Sequence, residues 1–152
     1  MRNGVRIGID VGSVRVGVAA CDPEGVLAIP VAVLRRDRRD RRDLDEIATL
    51  VAEREAVEVL VGLPTSLSGR EGKAAVAARA YAAELAARLA PVSVRLVDER
   101  LSTVEATRGL RSAGVREKSG RKVVDAAAAV VILQHALDAE RATGVTPGEA
   151  IR

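Results

Sequence analysis

Short apolar segments separated by tight turns occupy the first 34 residues of the chain. Residues 5–10, 14–20 and 26–34 are rich in Val, Ile, Leu and Ala, and the turn signals Gly12-Ser13 and Asp22-Pro23-Glu24-Gly25 stand between them. Apolar runs of this length bounded by Gly, Pro, Asp and Ser are typical of β-strands. Because connections this short join antiparallel neighbours, the segment predicts a three-stranded antiparallel meander.

Beyond residue 40 the pattern changes to helices that alternate with strands. Apolar residues at helical spacing predict helices over 40–55, 73–89, 102–111 and 121–139, and apolar runs predict strands over 57–62 and 92–97. The order β-β-β-α-β-α-β-α-α predicts an α/β fold, in which a mixed five-stranded sheet combines the antiparallel meander with parallel strands and is flanked by helices. We expect one domain over residues 1–139 and a flexible C-terminal tail over 140–152.

Composition limits the partners that this chain can bind. Of its 152 residues 48% are hydrophobic, but Tyr81 is the only aromatic residue, which excludes a nucleic-acid site built on aromatic stacking. The formal net charge of +3 permits a polyanionic partner that is held through Arg, Lys and backbone amides. Cys21 is alone, which excludes an intramolecular disulfide. No apolar run approaches the roughly 18 residues of a membrane span, so we expect a cytoplasmic protein with no membrane partner.

Four acidic residues stand at the ends of apolar elements, where an ionised carboxylate is costly unless it is paired or bound to a metal. Asp10 ends the first strand, Asp98 and Glu99 end the fifth, and Asp125 lies in the first turn of the last helix. With a central first strand and parallel fourth and fifth strands, Asp10 and the acidic pair reach one edge of the sheet. Carboxylates grouped without His or Cys suit Mg²⁺ or Mn²⁺. Two such ions about 4 Å apart can clamp a phosphodiester and activate water for its hydrolysis.

Each carboxylate also has a purely structural interpretation. Asp10 could accept hydrogen bonds from the amides of the turn that follows it. The acidic pair could bond to Arg100 or cap the predicted helix over 102–111. Asp125 could pair with Arg121 or Lys122 at helical spacing, or favour the helix N-terminus. The metal site is therefore predicted from the joint placement of the carboxylates and not from any one of them.

Two basic segments could hold phosphates. Residues 35–43 contain six Arg and three Asp, and a solvated helix entry with internal ion pairs is the alternative interpretation. Residues 111–122, which include a predicted polar loop over 112–120, carry five basic residues and one Glu and end close to Asp125, which predicts a substrate-binding segment. The candidate substrate-binding residues are Arg100, Thr103, Arg116, Lys118, Arg121 and Lys122.

Four motifs spread over residues 5–138 match a known family. They are Ile7-Gly8-Ile9-Asp10-Val11-Gly12, Val61-Gly62-Leu63-Pro64, Asp98-Glu99-Arg100-Leu101-Ser102-Thr103 and Lys122-Val123-Val124-Asp125-Ala126-Ala127. With them the chain resembles the YqgF family, also called RuvX, of the ribonuclease H-like nucleases. The resemblance implies a ribonuclease H-like fold and a divalent-metal nuclease. It also implies that Asp10, Asp125 and one of the acidic pair, Glu99 in preference to Asp98, are the catalytic and metal-binding carboxylates.

The resemblance implies a substrate class as well. Members of the family are associated with maturation of the 5′ end of pre-16S rRNA and, by their similarity to RuvC, with cleavage of Holliday junctions in branched DNA during recombination and repair. A four-way junction resolvase is expected to act as a symmetric homodimer, whereas an rRNA-processing enzyme could work as a monomer.

Two other function classes account for part of the same pattern. Actin-like phosphotransferases also open with an Asp-x-Gly strand and a hairpin, but they enclose their nucleotide between two such domains. The pattern of this sequence predicts one such domain, and the sequence contains no Walker-type loop. A non-catalytic nucleic-acid-binding module would keep the basic segments but has no need of converging carboxylates, which repel phosphate. Metal-dependent cleavage of nucleic acid separates a nuclease from both.

Overall fold

A computed structural model describes residues 2–65, 69–99 and 118–151, with side chains from residue 126 onward in the last range. The strands are β1 (Arg6–Val11), β2 (Arg15–Cys21), β3 (Ala28–Arg35), β4 (Glu58–Leu63), β5 (Ser93–Asp98) and β6 (Glu149–Ala150). The helices are α1 (Arg42–Glu53), α2 (Lys73–Leu89) and α3 (Lys118–Thr143). The predicted helix over 102–111 lies outside the described residues. None of the described helices is long and apolar enough to cross a membrane.

The strands form one mixed sheet in the order β3-β2-β1-β4-β5-β6. β1 pairs antiparallel with β2, and β2 with β3, as the short turns predict. β1 pairs parallel with β4, and β4 with β5. The α/β prediction with a central β1 is thus confirmed. The C-terminal ends of the parallel strands β1, β4 and β5 lie at one edge of the sheet, and Asp10 and the acidic pair stand at this edge.

The sheet has six strands and not the predicted five. β6 pairs antiparallel with β5, with Leu96 opposite Glu149 and Arg95 opposite Ala150. The guanidinium of Arg95 donates to the carbonyl oxygens of Pro147 and Gly148 at 2.7 and 2.6 Å. A strand of two residues is too short to show a periodic apolar pattern. For this reason β6 was not predicted within the expected tail over 140–152. The same expectation ended the last helix at residue 139, whereas α3 continues to Thr143.

Helix α3 also begins earlier than predicted, because Lys118 to Gly120 are helical and not part of a loop. The glycine and serine in this stretch favour a loop by only about 1 kcal/mol per residue, which tertiary context readily overrides. Lys118 therefore stands in the helix itself.

Alternate residues of the strands contact different helices. One face of the sheet, with Ile7 and Ile9 of β1, packs against apolar residues of α1 and α2. The other face packs against Ala128, Ala129 and Leu133 of α3, and we call it the α3 face. Because side chains alternate along a strand, Arg6, Gly8 and Asp10 of β1 share the α3 face.

Helix α3 approaches β1 closely. A Cβ atom on Gly8 would lie 2.7 Å from the Cβ of Leu133 and 3.0 Å from the carbonyl oxygen of Ala129. Glycine on the strand and small alanines on the helix allow this approach. Near the start of β1, Arg6 donates a hydrogen bond to Glu140, which lies late in α3. Helix α3 therefore runs antiparallel to β1, and its earlier turns lie towards Asp10.

Candidate active site

Asp10 lies on the α3 face near the end of β1, and it is 2% exposed. In the antiparallel ladder it stands opposite Gly17 of β2. The turn that follows is closed by a hydrogen bond from the amide of Gly12 to the carbonyl oxygen of Arg15, at 2.9 Å. A second bond, from Nη1 of Arg36 to the carbonyl oxygen of Gly12 at 2.9 Å, fixes the turn from the other face. The backbone that carries Asp10 is therefore held on both sides.

Glu99 is the first residue after β5, and its amide continues the parallel ladder by donating to the carbonyl oxygen of Leu63 at 3.2 Å. Glu99 is 7% exposed, and its carboxylate lies over Gly62 of β4. A Cβ atom on Gly62 would overlap Oε1 of Glu99 and would lie 2.5 Å from Cδ1 of Ile132 in α3. The absence of a side chain at Gly62 thus makes room for this carboxylate under the helix.

The structure brings Asp10 and Glu99 to the same place. In the parallel pairing of β1 with β4, Ile9 stands beside Val61, so Asp10 stands beside Gly62 in the next position. Adjacent strands are about 4.8 Å apart, which puts Asp10 next to the glycine over which Glu99 lies. Two buried carboxylates so close together repel unless a proton or a cation lies between them. A hard cation such as Mg²⁺ or Mn²⁺ fits this all-oxygen donor set.

Asp98, the other member of the acidic pair, is placed differently. Its side chain is exposed, and Oδ1 accepts a hydrogen bond from Oγ1 of Thr65 at 2.9 Å. Strand alternation puts Asp98 on the face opposite to that of Glu99. Of the two neighbours, Glu99 is the one on the side of Asp10.

Asp125 belongs to α3, one helical turn before Ala129, but its side chain lies outside the described part of the structure. The same holds for Lys118, Arg121 and Lys122, whose backbone is in the first turns of α3. Arg100, Thr103 and Arg116 lie outside the described residues altogether. Among the side chains that are described, no three His, Cys, Asp or Glu residues form a group able to hold a metal ion. Of the three predicted carboxylates, the structure describes the side chains of two, Asp10 and Glu99.

Three of the six arginines in the basic segment 35–43 take part in ion pairs: Arg36, Arg41 and Arg42. Arg42 lies 3.6 Å from both Asp37 and Asp40, and Arg41 lies 3.3 Å from Glu84 of α2. Asp37 accepts backbone hydrogen bonds, of which that from Asp40 is the strongest influence, and they hold the pKa of its carboxyl below the usual value. For these residues the alternative interpretation, a helix entry with internal ion pairs, is the one that the structure supports.

Two features of the site were not foreseen from the sequence. The first is Gly62, whose signal is a glycine at the end of a fully buried strand, a position that often marks a close approach. The second is the polar group of Arg36, Asp43 and Tyr81. The guanidinium of Arg36 lies 5.0 Å from the centroid of the Tyr81 ring, and the Tyr81 hydroxyl donates to Oδ2 of Asp43 at 2.8 Å. This group anchors Arg36, which in turn holds the turn after Asp10.

Comparison with known proteins identifies the family. Residues 4–139 match the family model described as "RuvX: Holliday junction resolvase". A protein of Thermobifida fusca is 56% identical over 158 residues, covering 99% of this chain and 98% of its own, and one of Streptomyces avermitilis is 54% identical, covering 99% and 96%. Both bear the name "Putative pre-16S rRNA nuclease".

A solved structure shows the same fold. RuvC of T. thermophilus, in complex with a Holliday junction substrate, aligns with a TM-score of 0.54 at 15% identity and covers 97% of this chain and 99% of its own. This likeness confirms the predicted ribonuclease H-like fold. Together with the full-length sequence matches, it establishes that the chain belongs to the RuvX family of nucleases.

Proposed function

We propose that this protein is a divalent-metal-dependent nuclease that hydrolyses phosphodiester bonds in structured nucleic acid in the cytoplasm. Its proposed substrate is the 5′ end of pre-16S rRNA. The observation that carries the proposal is the meeting of two buried carboxylates, Asp10 and Glu99, over Gly62. Two carboxylates that lie side by side offer the oxygen ligands that Mg²⁺ and Mn²⁺ prefer, and the space over Gly62 is what lets the second carboxylate join the first.

Asp125 is the proposed third ligand. Ala129 and Leu133 lie over Gly8, and Asp125 precedes Ala129 by one helical turn, so it belongs to the same stripe of the helix. Because α3 runs antiparallel to β1, the turn that contains Asp125 is displaced from Gly8 in the direction of Asp10. This placement supports a role for Asp125 beside the other two carboxylates.

The chain's own contribution to the reaction is to hold and orient. Asp10, Glu99 and Asp125 would supply the oxygen ligands of Mg²⁺ or Mn²⁺, and the hydrogen-bonded turn at Gly12 keeps Asp10 in place. When bound, one or two such ions supply charge neutralisation at the phosphate and an activated water. No side-chain nucleophile is needed, which agrees with a site formed from carboxylates. Arg100, Thr103, Arg116, Lys118, Arg121 and Lys122 are the proposed contacts to substrate phosphates.

The similar proteins favour rRNA over branched DNA as the substrate. Relatives that are 54–58% identical are named as pre-16S rRNA nucleases, whereas the RuvC likeness, at 15% identity, supports the fold alone. The family description as a Holliday junction resolvase supports the second candidate, cleavage of four-way junctions. That activity would require a homodimer, because the two cuts in a junction are related by symmetry.

A cleavage panel tests the proposal. Precursor 16S RNA, single strands, duplexes and four-way junctions are incubated with Mg²⁺, Mn²⁺ or EDTA, and products are mapped. We expect cleavage of the precursor at the mature 5′ end, dependent on the metal. Asp10→Asn, Glu99→Gln and Asp125→Asn should each lower the rate by more than about 100-fold, since even groups that only orient metal ligands contribute 10- to 100-fold.

Asp98→Asn is the matched control, because it removes the neighbouring carboxylate on the opposite face. It should cleave at close to the wild-type rate. Preferential cutting of four-way junctions would replace the rRNA assignment with the resolvase. Binding of nucleic acid without metal-dependent cleavage by the wild-type protein would identify a non-catalytic module, and unchanged cleavage by Asp10→Asn would refute the site.

A further inference from the structure

Two arginines stand side by side on the α3 face, just beyond the carboxylates. Arg15 begins β2 and Arg35 ends β3, and the two residues are directly opposite in the antiparallel ladder. Their neighbours Val16 and Leu34 are buried against α1 and α2, so strand alternation puts both arginines on the α3 face. Both side chains are exposed. The sheet thus presents two adjacent guanidinium groups on the side that holds Asp10.

The pair is close to the carboxylates. Gly17 stands opposite Asp10 and is two residues from Arg15, so Arg15 and Asp10 are diagonal neighbours on one face. Diagonal neighbours in an antiparallel pair are about 7–8 Å apart, a distance that an arginine side chain can span. The residue bonded to Arg15 is Gly12, in the turn just after β1, and it has no side chain to stand between the guanidinium and the site.

The arrangement has a cost in the free protein. Like charges directly opposite each other destabilise a strand pair. Within the described parts of the chain, neither Arg15 nor Arg35 has a carboxylate within ion-pair distance, unlike Arg36, Arg41 and Arg42 nearby. A ligand that carries negative charge and several acceptor oxygens would relieve this repulsion, and a phosphate meets the planar donors of arginine with paired hydrogen bonds.

We propose that Arg15 and Arg35 form a phosphate clamp that holds the backbone of the nucleic acid next to the bond being cut. The clamp rests on the proposed nuclease function and adds to it a binding site on β2 and β3, separate from the basic residues around α3. It recognises the phosphodiester backbone and not the bases, because its contacts are charged and the chain has a single aromatic residue.

The test measures binding and not cleavage. Fluorescein-labelled stem-loop RNA and the corresponding DNA are titrated with protein in EDTA at several salt concentrations. Each phosphate contact contributes about 0.7 to 0.9 to the slope of log K against log salt, so Arg15→Gln/Arg35→Gln should lower the slope by about 1.4 to 1.8. Arg15→Lys/Arg35→Lys keeps both charges and should keep the slope. A urea unfolding curve for each variant shows that the fold is retained.

Arg38→Gln/Arg39→Gln is the control with the same change in net charge. These exposed residues lie in the connection to α1, which packs on the opposite face. An equal loss of slope in this variant, or an unchanged slope in Arg15→Gln/Arg35→Gln, would overturn the clamp. Because EDTA removes the metal, failure of the nuclease proposal would leave this result unaffected. Where cleavage is observed, the clamp variant should raise KM and leave kcat near its wild-type value.

Discussion

The two ends of the α3 face bury charged residues in opposite ways. At the start of the strands, which we call the base, Arg6 of β1 stands beside Glu58 of β4. Arg6 binds Glu140 of α3 at 3.1 Å, and Arg2 binds both glutamates, at 3.0 and 2.5 Å. Four residues further along the same two strands, Asp10 stands beside Gly62 and Glu99 lies over it. The base combines two arginines with two glutamates, whereas the site end brings like charges together.

This difference separates a structural ion network from a candidate metal centre. Buried charges of opposite sign satisfy each other, so the base is complete with the chain's own residues. At the site end two carboxylates of the same sign lie side by side, an arrangement that a bound cation stabilises. The same sheet face therefore stabilises the protein at one end and, on our proposal, binds an ion at the other.

The largest effect is expected from Glu140→Gln at the base. Arg6 is 1% exposed, and removing its carboxylate leaves a buried guanidinium without its charged partner. Loss of one member of a buried ion pair costs about 3–5 kcal/mol, so the free energy of unfolding in urea should fall by that amount. Asp10→Asn, measured in EDTA, should change the free energy of unfolding by less than Glu140→Gln does, because it removes one of two like charges that lie side by side.

The pH dependence offers a second measurement of the same contrast. Burial alone raises the pKa of the Glu140 carboxyl, but the hydrogen bond and charge of Arg2, with the charge of Arg6, outweigh it and hold this pKa below its usual value. Its stabilising effect is therefore full above the unfolded pKa, near 4.5, and is lost as the pH falls through the lower folded value. Glu140→Gln should flatten this acid limb. If Asp10→Asn destabilised the protein as much as Glu140→Gln, the site end would also be structural.

The fold was predicted from the sequence wherever periodicity was strong. The bounds of α2 agree with the apolar spacing, and the order and direction of the first five strands follow from turn length and connection. The two-residue β6 and the first turn of α3 were missed, because neither carries a repeating apolar pattern. Their positions depend on contacts made far along the chain, such as those of Arg95 with residues 147 and 148.

The site illustrates what a buried charge in an apolar strand can mean. Arg6 and Asp10 give the same local signal, yet one belongs to a structural network and the other to the carboxylate pair. The partner of Arg6, Glu140, is 134 residues away along the chain, so no local sequence pattern indicates this contact. The position of Asp10 and the acidic pair at one edge followed from topology. Glu99 lies under α3 because Gly62 leaves space for its carboxylate. This space depends on how the helix packs on the sheet, so the sequence alone does not predict it.

A smaller effect on stability, but a selective one on the site, is expected from Gly62→Ala. The new methyl group would displace the carboxylate of Glu99 and press on Ile132, an overpacking that costs about 1–3 kcal/mol. A misplacement of about 1 Å can lower a catalytic rate by about 100-fold, so Mn²⁺ affinity, measured by calorimetry, and cleavage should fall together.

Gly8→Ala is the matched control for that variant, because it also presses on α3 from the same face. Its methyl group would meet the carbonyl oxygen of Ala129 and the Cβ of Leu133, so it should destabilise the fold at least as much. It should nevertheless retain Mn²⁺ affinity at temperatures where it is folded. Equal loss of affinity in both variants would mean that a shift of the helix, and not displacement of Glu99, weakens the site.

The smallest effect is expected at the contact between Tyr81 and Asp43, a buried acid that lies on the opposite face of the sheet. Tyr81 donates to it at 2.8 Å and Arg36 approaches to 3.9 Å. Burial, followed by the hydrogen bond to Asp43, raises the pKa of the Tyr81 hydroxyl well above its usual value of 10. Because Tyr81 is the only tyrosine, near-ultraviolet absorbance should detect no phenolate in the folded protein up to about pH 11.

The free energy of unfolding should depend on the same hydroxyl. The stability linked to the raised pKa of Tyr81 is full below about pH 10 and is lost as the pH rises towards the folded value. Tyr81→Phe should lack this alkaline loss and should cost about 1 kcal/mol at neutral pH, since Arg36 still balances Asp43. A phenolate that formed at pH 10 without unfolding would show that Asp43 does not depend on this partner.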